Sequence, residues 1–258
     1  MRLDVLTSGI WQTTTTIVSE GEGCFVIDPA YFPRELEQIA SRARDLGGAQ
    51  GVLFTHGHWD HVMGHTALPG APVWVSQVLA DGIATADPRV ARYLEDAREF
   101  DSRWYVPRPD GHRWPTALHG IRDDEVLRVA GISARTLHLP GHSPEGLGLV
   151  IEDVLVVGDY LSPCEIPFID DATAYRQTLA RLLDLLRDLR EAIPGHGPRL
   201  TAGEAIAIAS ADLTYVDRLI AAADPAAALA VSLPRAADVV GMQDHHRENC
   251  AKLASHSH

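Results

Sequence analysis

Hydrophobic positions along this chain alternate between two periods. Thr13 to Ser19, rich in β-branched residues, and the apolar Cys24 to Ile27 lie on either side of Gly21-Glu22-Gly23, the pattern of adjacent strands joined by a turn. Arg34 to Leu46 carries Leu36, Ile39, Ala40 and Ala43 at helical spacing and stops at Gly47-Gly48. Gly51-Val52-Leu53-Phe54-Thr55 is apolar without alternation, as expected of a strand buried on both faces. Val73-Trp74-Val75 repeats the strand theme, and Val78 to Asp101 predicts helix interrupted at Asp87-Pro88. Arg103 to Pro115, rich in Pro, Arg and Trp, reads as an irregular excursion of the kind that shapes access to a site.

The second half opens on strands again, at Glu125 to Val129, Ile132 to Leu137, Gly146 to Ile151 and Val154 to Val157. An amphipathic helix over Ala172 to Leu189 follows, with Leu179, Leu182, Leu183 and Leu186 on one face. A short strand ending at Ile193 and a helix over Ala202 to Ala222 complete the pattern. Strands then helix, twice over, suggest an α/β protein of two β-sheets packed face to face with helices outside. Residues 1–223 are expected to form the main domain. Residues 224–258, Ala-rich at the start, are expected to form a helical C-terminal appendage.

Composition narrows the function classes. A formal net charge of −13, with Lys252 the single lysine, leaves no basic face for nucleic-acid phosphates. No stretch has the apolar length of a membrane span. Cys24, Cys164 and Cys250 are odd in number and far apart, which argues against a disulfide framework. With no signal-peptide pattern at Met1-Arg2-Leu3-Asp4, the expected address is cytoplasmic. The expected partner is a small-molecule substrate, with neither nucleic acid nor membrane; a homodimer is left open.

The candidate chemistry lies just past the buried strands. His56-Gly57-His58-Trp59-Asp60-His61 follows the Gly51–Thr55 strand, where α/β sheets place their ligands. His142 in Leu139-Pro140-Gly141-His142, Asp159 in Val157-Gly158-Asp159, and His196 in Ile193-Pro194-Gly195-His196 each follow another apolar strand beside glycine. Imidazole nitrogens and carboxylate oxygens are the donors that zinc and similar metals take. Seven candidate ligands, namely His56, His58, Asp60, His61, His142, Asp159 and His196, exceed the needs of one tetrahedral ion and suit two. Only a carboxylate can bridge two ions, through Asp159 or Asp60. An open position leaves room for a water, which a bound metal acidifies to a pKa of roughly 7.

His56-x-His58-x-Asp60-His61 with the later His142, Asp159 and His196 resembles the signature of the metallo-β-lactamase-fold hydrolase superfamily, and within it the glyoxalase II-like branch. The resemblance implies an αββα sandwich of two mixed β-sheets flanked by helices, with the site at one edge. It implies His56, His58 and His142 on one metal, Asp60, His61 and His196 on a second, and Asp159 bridging them. The two divalent ions would be zinc first, with iron or manganese as alternatives. A metal-bridging hydroxide, oriented by Asp60, would cleave a small ester, thioester or lactone. Asp159 points away from the secreted β-lactamases, which typically lack a bridging Asp. Other readings remain: a mononuclear iron persulfide dioxygenase, a non-catalytic metal-binding domain and, disfavoured by charge, an RNA phosphodiesterase.

Nearby residues have plainer readings. His65, His112, His119 and His138 are expected to be structural, and His245-His246 and His256-Ser257-His258 a solvated tail. Cys164 has no base placed for it and reads as a packed cysteine. Tyr31 and Tyr160 are expected to pack rather than to stabilise an oxyanion. Asp28 either orients a ligand or merely begins the Asp28-Pro29 turn.

Overall fold

The computed structural model describes residues 1–255, with side chains through residue 253. The terminal His256-Ser257-His258 lies outside the described residues. In chain order the first elements are β1 (Arg2–Thr7), β2 (Thr14–Ser19), β3 (Cys24–Ile27), α1 (Pro33–Asp45), β4 (Ala49–Leu53) and α2 (Trp59–Val62). After these come β5 (Val73–Ser76), α3 (Gln77–Ala84), α4 (Pro88–Trp104), β6 (Leu118–Ile121), β7 (Val126–Val129), β8 (Ile132–His138) and β9 (Leu147–Ile151). The remainder is β10 (Val154–Val156), α5 (Ala172–Leu185), β11 (Glu191–Ile193), β12 (Leu200–Thr201), α6 (Ala202–Ile220), α7 (Pro225–Leu229) and α8 (Met242–Ser255).

Two mixed six-stranded sheets, β1-β2-β3-β4-β5-β6 and β12-β11-β10-β9-β8-β7, with flanking helices give the expected αββα fold class. The chain divides into two compact units, Met1–His138 with Leu147–Glu152, and Leu139–Gly146 with Asp153–His258. No helix among the described residues is long and apolar enough to cross a membrane.

In the first unit β1, β2 and β3 form an antiparallel meander, and β3, β4, β5 and β6 continue in parallel. β2 and β3 are buried along their whole length, so Ile17, Val26, Val52, Phe54, Val73 and Val75 share one core with Ile39 of α1 and Leu79 of α3. The break expected at Asp87-Pro88 is the α3–α4 boundary. Asp87 caps α4 by accepting from Arg89 N at 2.8 Å, and Pro88 occupies the first turn, where a missing N–H costs nothing. β1 and β6 were not legible as strands. β1 has no fully buried residue, and β6 is largely exposed, so neither carries a clear apolar signal.

The excursion after α4 is pinned by one buried carboxylate. Asp101 accepts from Tyr31 Oη at 2.6 Å, from Arg108 Nε at 2.9 Å and from His112 Nε2 at 2.8 Å. Arg108 also stacks over the Tyr31 ring at 4.4 Å and donates to Tyr31 O at 3.1 Å. His112, expected to be structural, belongs to this cluster.

In the second unit β10 and β11 pair in parallel, with Val156 opposite Ile193. β12 then returns antiparallel on β11. The expected long helix ends as α5 at Leu185 and tightens into a single 3-10 turn over Leu186–Asp188. The stretch from residue 224 is not continuous helix: α7 and α8 are separated by residues 230–241, where Pro234 and Gly241 interrupt helical propagation. Arg235 in that segment makes a two-pronged bond to buried Asp212 of α6 at 2.6 and 2.8 Å.

Replacing Asp101 by Ala leaves Arg108, whose side chain is 5% exposed, without its counter-charge. Breaking a buried pair from one side costs about 3–5 kcal/mol, so urea unfolding of Asp101→Ala is expected to show a loss of that order. A loss below about 1 kcal/mol would mean that the excursion is anchored elsewhere.

Candidate metal centre

Parallel pairing explains why chemically linked side chains emerge together. β3 and β4 are in register at Ile27 and Leu53, so Asp28, one residue past β3, meets the chain leaving β4. Asp28 N donates to Leu53 O at 2.9 Å, and its carboxylate accepts from Thr55 N at 2.7 Å and Thr55 Oγ1 at 2.6 Å. The same carboxylate lies 3.0 Å from His61 Nδ1. Asp28 therefore does both things that its position suggested: it begins a turn, in the left-handed region at φ 50°, and it orients a ligand candidate. Thr15 secures the turn by donating to Asp28 O and accepting from Ala30 N.

The hydrogen bonds decide which imidazole nitrogen faces inward. An Asp28 oxygen can only accept, so His61 Nδ1 carries the proton and Nε2 presents its lone pair, 3.3 Å from Asp60 Oδ2. Thr55 Oγ1 donates to Asp28, so it accepts from His56 Nδ1 at 3.1 Å, and His56 Nε2 faces His58 Nδ1 at 3.0 Å. Asp60 Oδ2 accepts from Thr13 Oγ1 at 3.0 Å. Neither Thr13 nor Thr55 stood out in the sequence, because a threonine at the end of an expected strand reads as packing; both are buried just outside β2 and β4.

The second unit repeats this arrangement. Val156 and Ile193 are register partners, so Asp159 and His196, each three residues further on, leave adjacent strand ends together. Gly195 N donates to Gly158 O at 2.6 Å, and a Cβ at Gly195 would collide with Asp159 Oδ1. Glycine is required there by close approach. His142 Nδ1 donates to Phe168 O at 3.0 Å, which leaves Nε2 to face Asp159 Oδ2 at 3.2 Å. His196 Nε2 lies 3.3 Å from the other oxygen, Asp159 Oδ1. Tyr160 Oη donates to Pro140 O at 2.8 Å and accepts from His142 N at 3.1 Å. It braces the His142 loop, and burial raises the pKa of its hydroxyl well above the ordinary phenol range.

These contacts test whether a metal fits. His61 Nε2 against Asp60, and His142 Nε2 against Asp159, each set a lone pair against a carboxylate oxygen at about hydrogen-bond distance. Two acceptors at that separation repel unless a cation or proton lies between them, and a divalent ion relieves each opposition at once. Buried imidazole and carboxylate donors with their outer atoms already committed are the donor set of a transition-metal site. His/Asp clustering of this kind could hold a divalent metal ion.

The other candidates stay apart. Among the described residues His65, His112, His119, His138, His245 and His246 join no such group. His65 donates from Nδ1 to Val62 O, stands edge-on to Phe54, and is made harder to protonate by burial. His246 is not part of a solvated tail: it is buried and bonded to Tyr215 Oη at 2.8 Å, because α8 turns that face inward. Burial raises the pKa of the Cys164 thiol and pushes that of Cys24 up to about 11, away from the thiolate that a nucleophile needs. Tyr31 spends its hydroxyl on Asp101.

Comparison with known proteins places this geometry in a lineage. The metallo-β-lactamase superfamily model matches residues 8–196, a span that includes all seven candidates. Hydroxyacylglutathione hydrolase GloC of Haemophilus influenzae is 26% identical over 216 residues, covering 79% of this chain and 94% of that protein. An atrochrysone carboxyl ACP thioesterase of Paecilomyces divaricatus is 27% identical over 189 residues, covering 72% of this chain and 50% of that protein. A crystal structure of a protein in a di-iron-bound form is 27% identical, with a TM-score of 0.59 over 78% of this chain and 96% of its own. ETHE1 from Myxococcus xanthus, at 17% identity, shares the fold with a TM-score of 0.61 over 96% of this chain and 100% of its own. The chain belongs to the metallo-β-lactamase superfamily.

Proposed function

We propose that this superfamily hydrolase holds two divalent metal ions, zinc first, and cleaves a small ester, thioester or lactone, with a thioester as the leading substrate. In this reading, which follows the family resemblance, His56, His58 and His142 would hold one ion, Asp60, His61 and His196 the other, and Asp159 would be shared between them. The observation that carries it is Asp159, whose two oxygens each face a different imidazole, Oδ2 toward His142 and Oδ1 toward His196. A carboxylate split in this way suits a bridge between two ions. Thioester cleavage is supported by the similarity to the hydroxyacylglutathione hydrolase and to the ACP thioesterase.

Bound ions would acidify a water to a pKa of roughly 7 and polarise the scissile carbonyl. The chain's own residues supply the rest. Asp28 and the Phe168 carbonyl hold the Nδ1 protons of His61 and His142. Thr55 does the same for His56. Thr13 steadies Asp60, which we place against the attacking water to orient it and take its proton. Iron is a second candidate metal, favoured by the relative in a di-iron-bound form.

Elemental analysis of the purified chain, paired with a panel of thioesters, lactones, β-lactams and phosphodiesters, tests the reading. The expected result is two metals per chain and thioester turnover that chelation abolishes and added zinc restores. One iron per chain with oxygen consumption on a persulfide would replace it, and unchanged turnover in Asp60→Ala would remove Asp60 from the chemistry.

Two further outcomes are expected. Asp28→Ala releases the His61 ring and weakens metal binding by roughly 10–100-fold in a chelator competition, the usual cost of losing a group that orients a ligand. Cys164→Ala keeps turnover within about twofold, since its thiol stays protonated near neutral pH. A larger loss in initial-rate assays would bring the thiol into the mechanism.

A further inference from the structure

The carbonyl that orients His142 is itself held. Phe168 lies in the segment between β10 and α5, which has no secondary structure of its own to fix the direction of its peptide groups. On either side of it the backbone is gripped by a single side chain from α8. Asn249 Nδ2 donates to Pro167 O at 2.7 Å, and Asn249 Oδ1 accepts from Ile169 N at 3.0 Å. The amide orientation follows from its partners, because Pro167 O can only accept and Ile169 N–H can only donate. Asn249 is 3% exposed, and its second amide proton goes to Tyr215 Oη at 3.2 Å. The Phe168 ring packs on His245, also of α8, with centroids 3.9 Å apart.

We propose that Asn249 is a positioning residue for His142: by clamping Pro167 and Ile169 it aims the Phe168 carbonyl at His142 Nδ1, and so directs Nε2 toward Asp159. The proposal rests on the reading of His142 as a metal ligand, and it assigns α8 a part in that site. Without the clamp the Phe168 peptide can rotate, the Nδ1 proton loses its fixed acceptor, and the imidazole can exchange tautomers. A ligand that must first be reoriented binds its metal more weakly.

The test compares Asn249→Ala, Asn249→Asp and Tyr215→Phe in the full chain. Asn249→Asp keeps an acceptor for Ile169 N but loses the donor to Pro167 O. Tyr215→Phe removes the hydroxyl that contacts Asn249 and His246 and leaves the clamp on Phe168 intact. Zinc affinity is measured by chelator competition, thermal stability by calorimetry of the metal-free protein, and the His142 tautomer by nitrogen-15 NMR of that same protein.

Asn249→Ala and Asn249→Asp are expected to weaken zinc binding by roughly 10–100-fold and to convert His142 from a single Nδ1–H tautomer to a mixture. Tyr215→Phe is expected to lower the melting temperature and leave both of these readouts unchanged. If the Asn249 variants lose stability only, with His142 still a single tautomer and zinc affinity at the wild-type value, the proposal is overturned. Should His142→Ala leave zinc binding untouched, the metal reading fails, and the tautomer in the metal-free Asn249 variants still decides the positioning role. A mixture upholds it, and one unchanged form ends it.

Discussion

A neutral imidazole gives a lone pair to a metal from one nitrogen while the other keeps its proton, and an acceptor for that N–H fixes the tautomer and the direction of the ring. Much of the local structure around the candidate ligands follows from this constraint. Asp28 accepts the Nδ1–H of His61, the Thr55 hydroxyl accepts that of His56, and the Phe168 carbonyl accepts that of His142. Each acceptor is in turn held: Asp28 by Thr15 and the β4 exit, Thr55 by Asp28, and Phe168 by the residues gripped on either side of it. The loops carrying His56 and His142 are ordered by hydrogen bonds rather than by regular secondary structure, and His61 sits in the short helix α2. That suits strand ends, where sheet pairing has stopped and backbone groups still need partners.

Aromatic packing does comparable work in the first unit. Trp59, between His58 and Asp60 in the chain, lies 4.8 Å from Tyr31 and 4.6 Å from Phe100 by ring centroids. Tyr31 is fixed by its bond to Asp101 and by Arg108 stacked over its ring. The irregular stretch after α4 thus braces the His56–His61 run from behind, through Arg108 and His112 on Asp101. A Pro- and Arg-rich excursion reads as a loop from sequence. Which of its charges is buried, and against what, depends on a carboxylate and a tyrosine some seventy residues apart.

Legibility varied with how local the signal was. The strands β2 to β5 and β7 to β11 were readable from apolar or β-branched runs, as in β9 and β2, or from alternation, as at the start of β8, and the α3–α4 break because proline leaves few alternatives. β1, β6 and the two-residue β12 were not, since exposed edge strands carry little hydrophobic pattern. The interruption between α7 and α8 was missed because an alanine-rich start suggested helix throughout. His246 was misread as tail because its burial depends on the Tyr215 hydroxyl of another helix.

The sequence by itself singled out the candidate donors: four histidines at strand ends or in the Asp60 run, with Asp159 and a further imidazole past two apolar strands. It determined the fold class too, since apolar periodicity and glycine placement are local properties. The tertiary structure alone decided which nitrogen of His61 and of His142 faces inward, and through which carboxylate or carbonyl. Those acceptors are Asp28, thirty-three residues from His61, and Phe168, twenty-six from His142. Hydrogen bonds over such separations leave no periodic trace in a chain, and they exist only once strand register has brought their partners to the same edge.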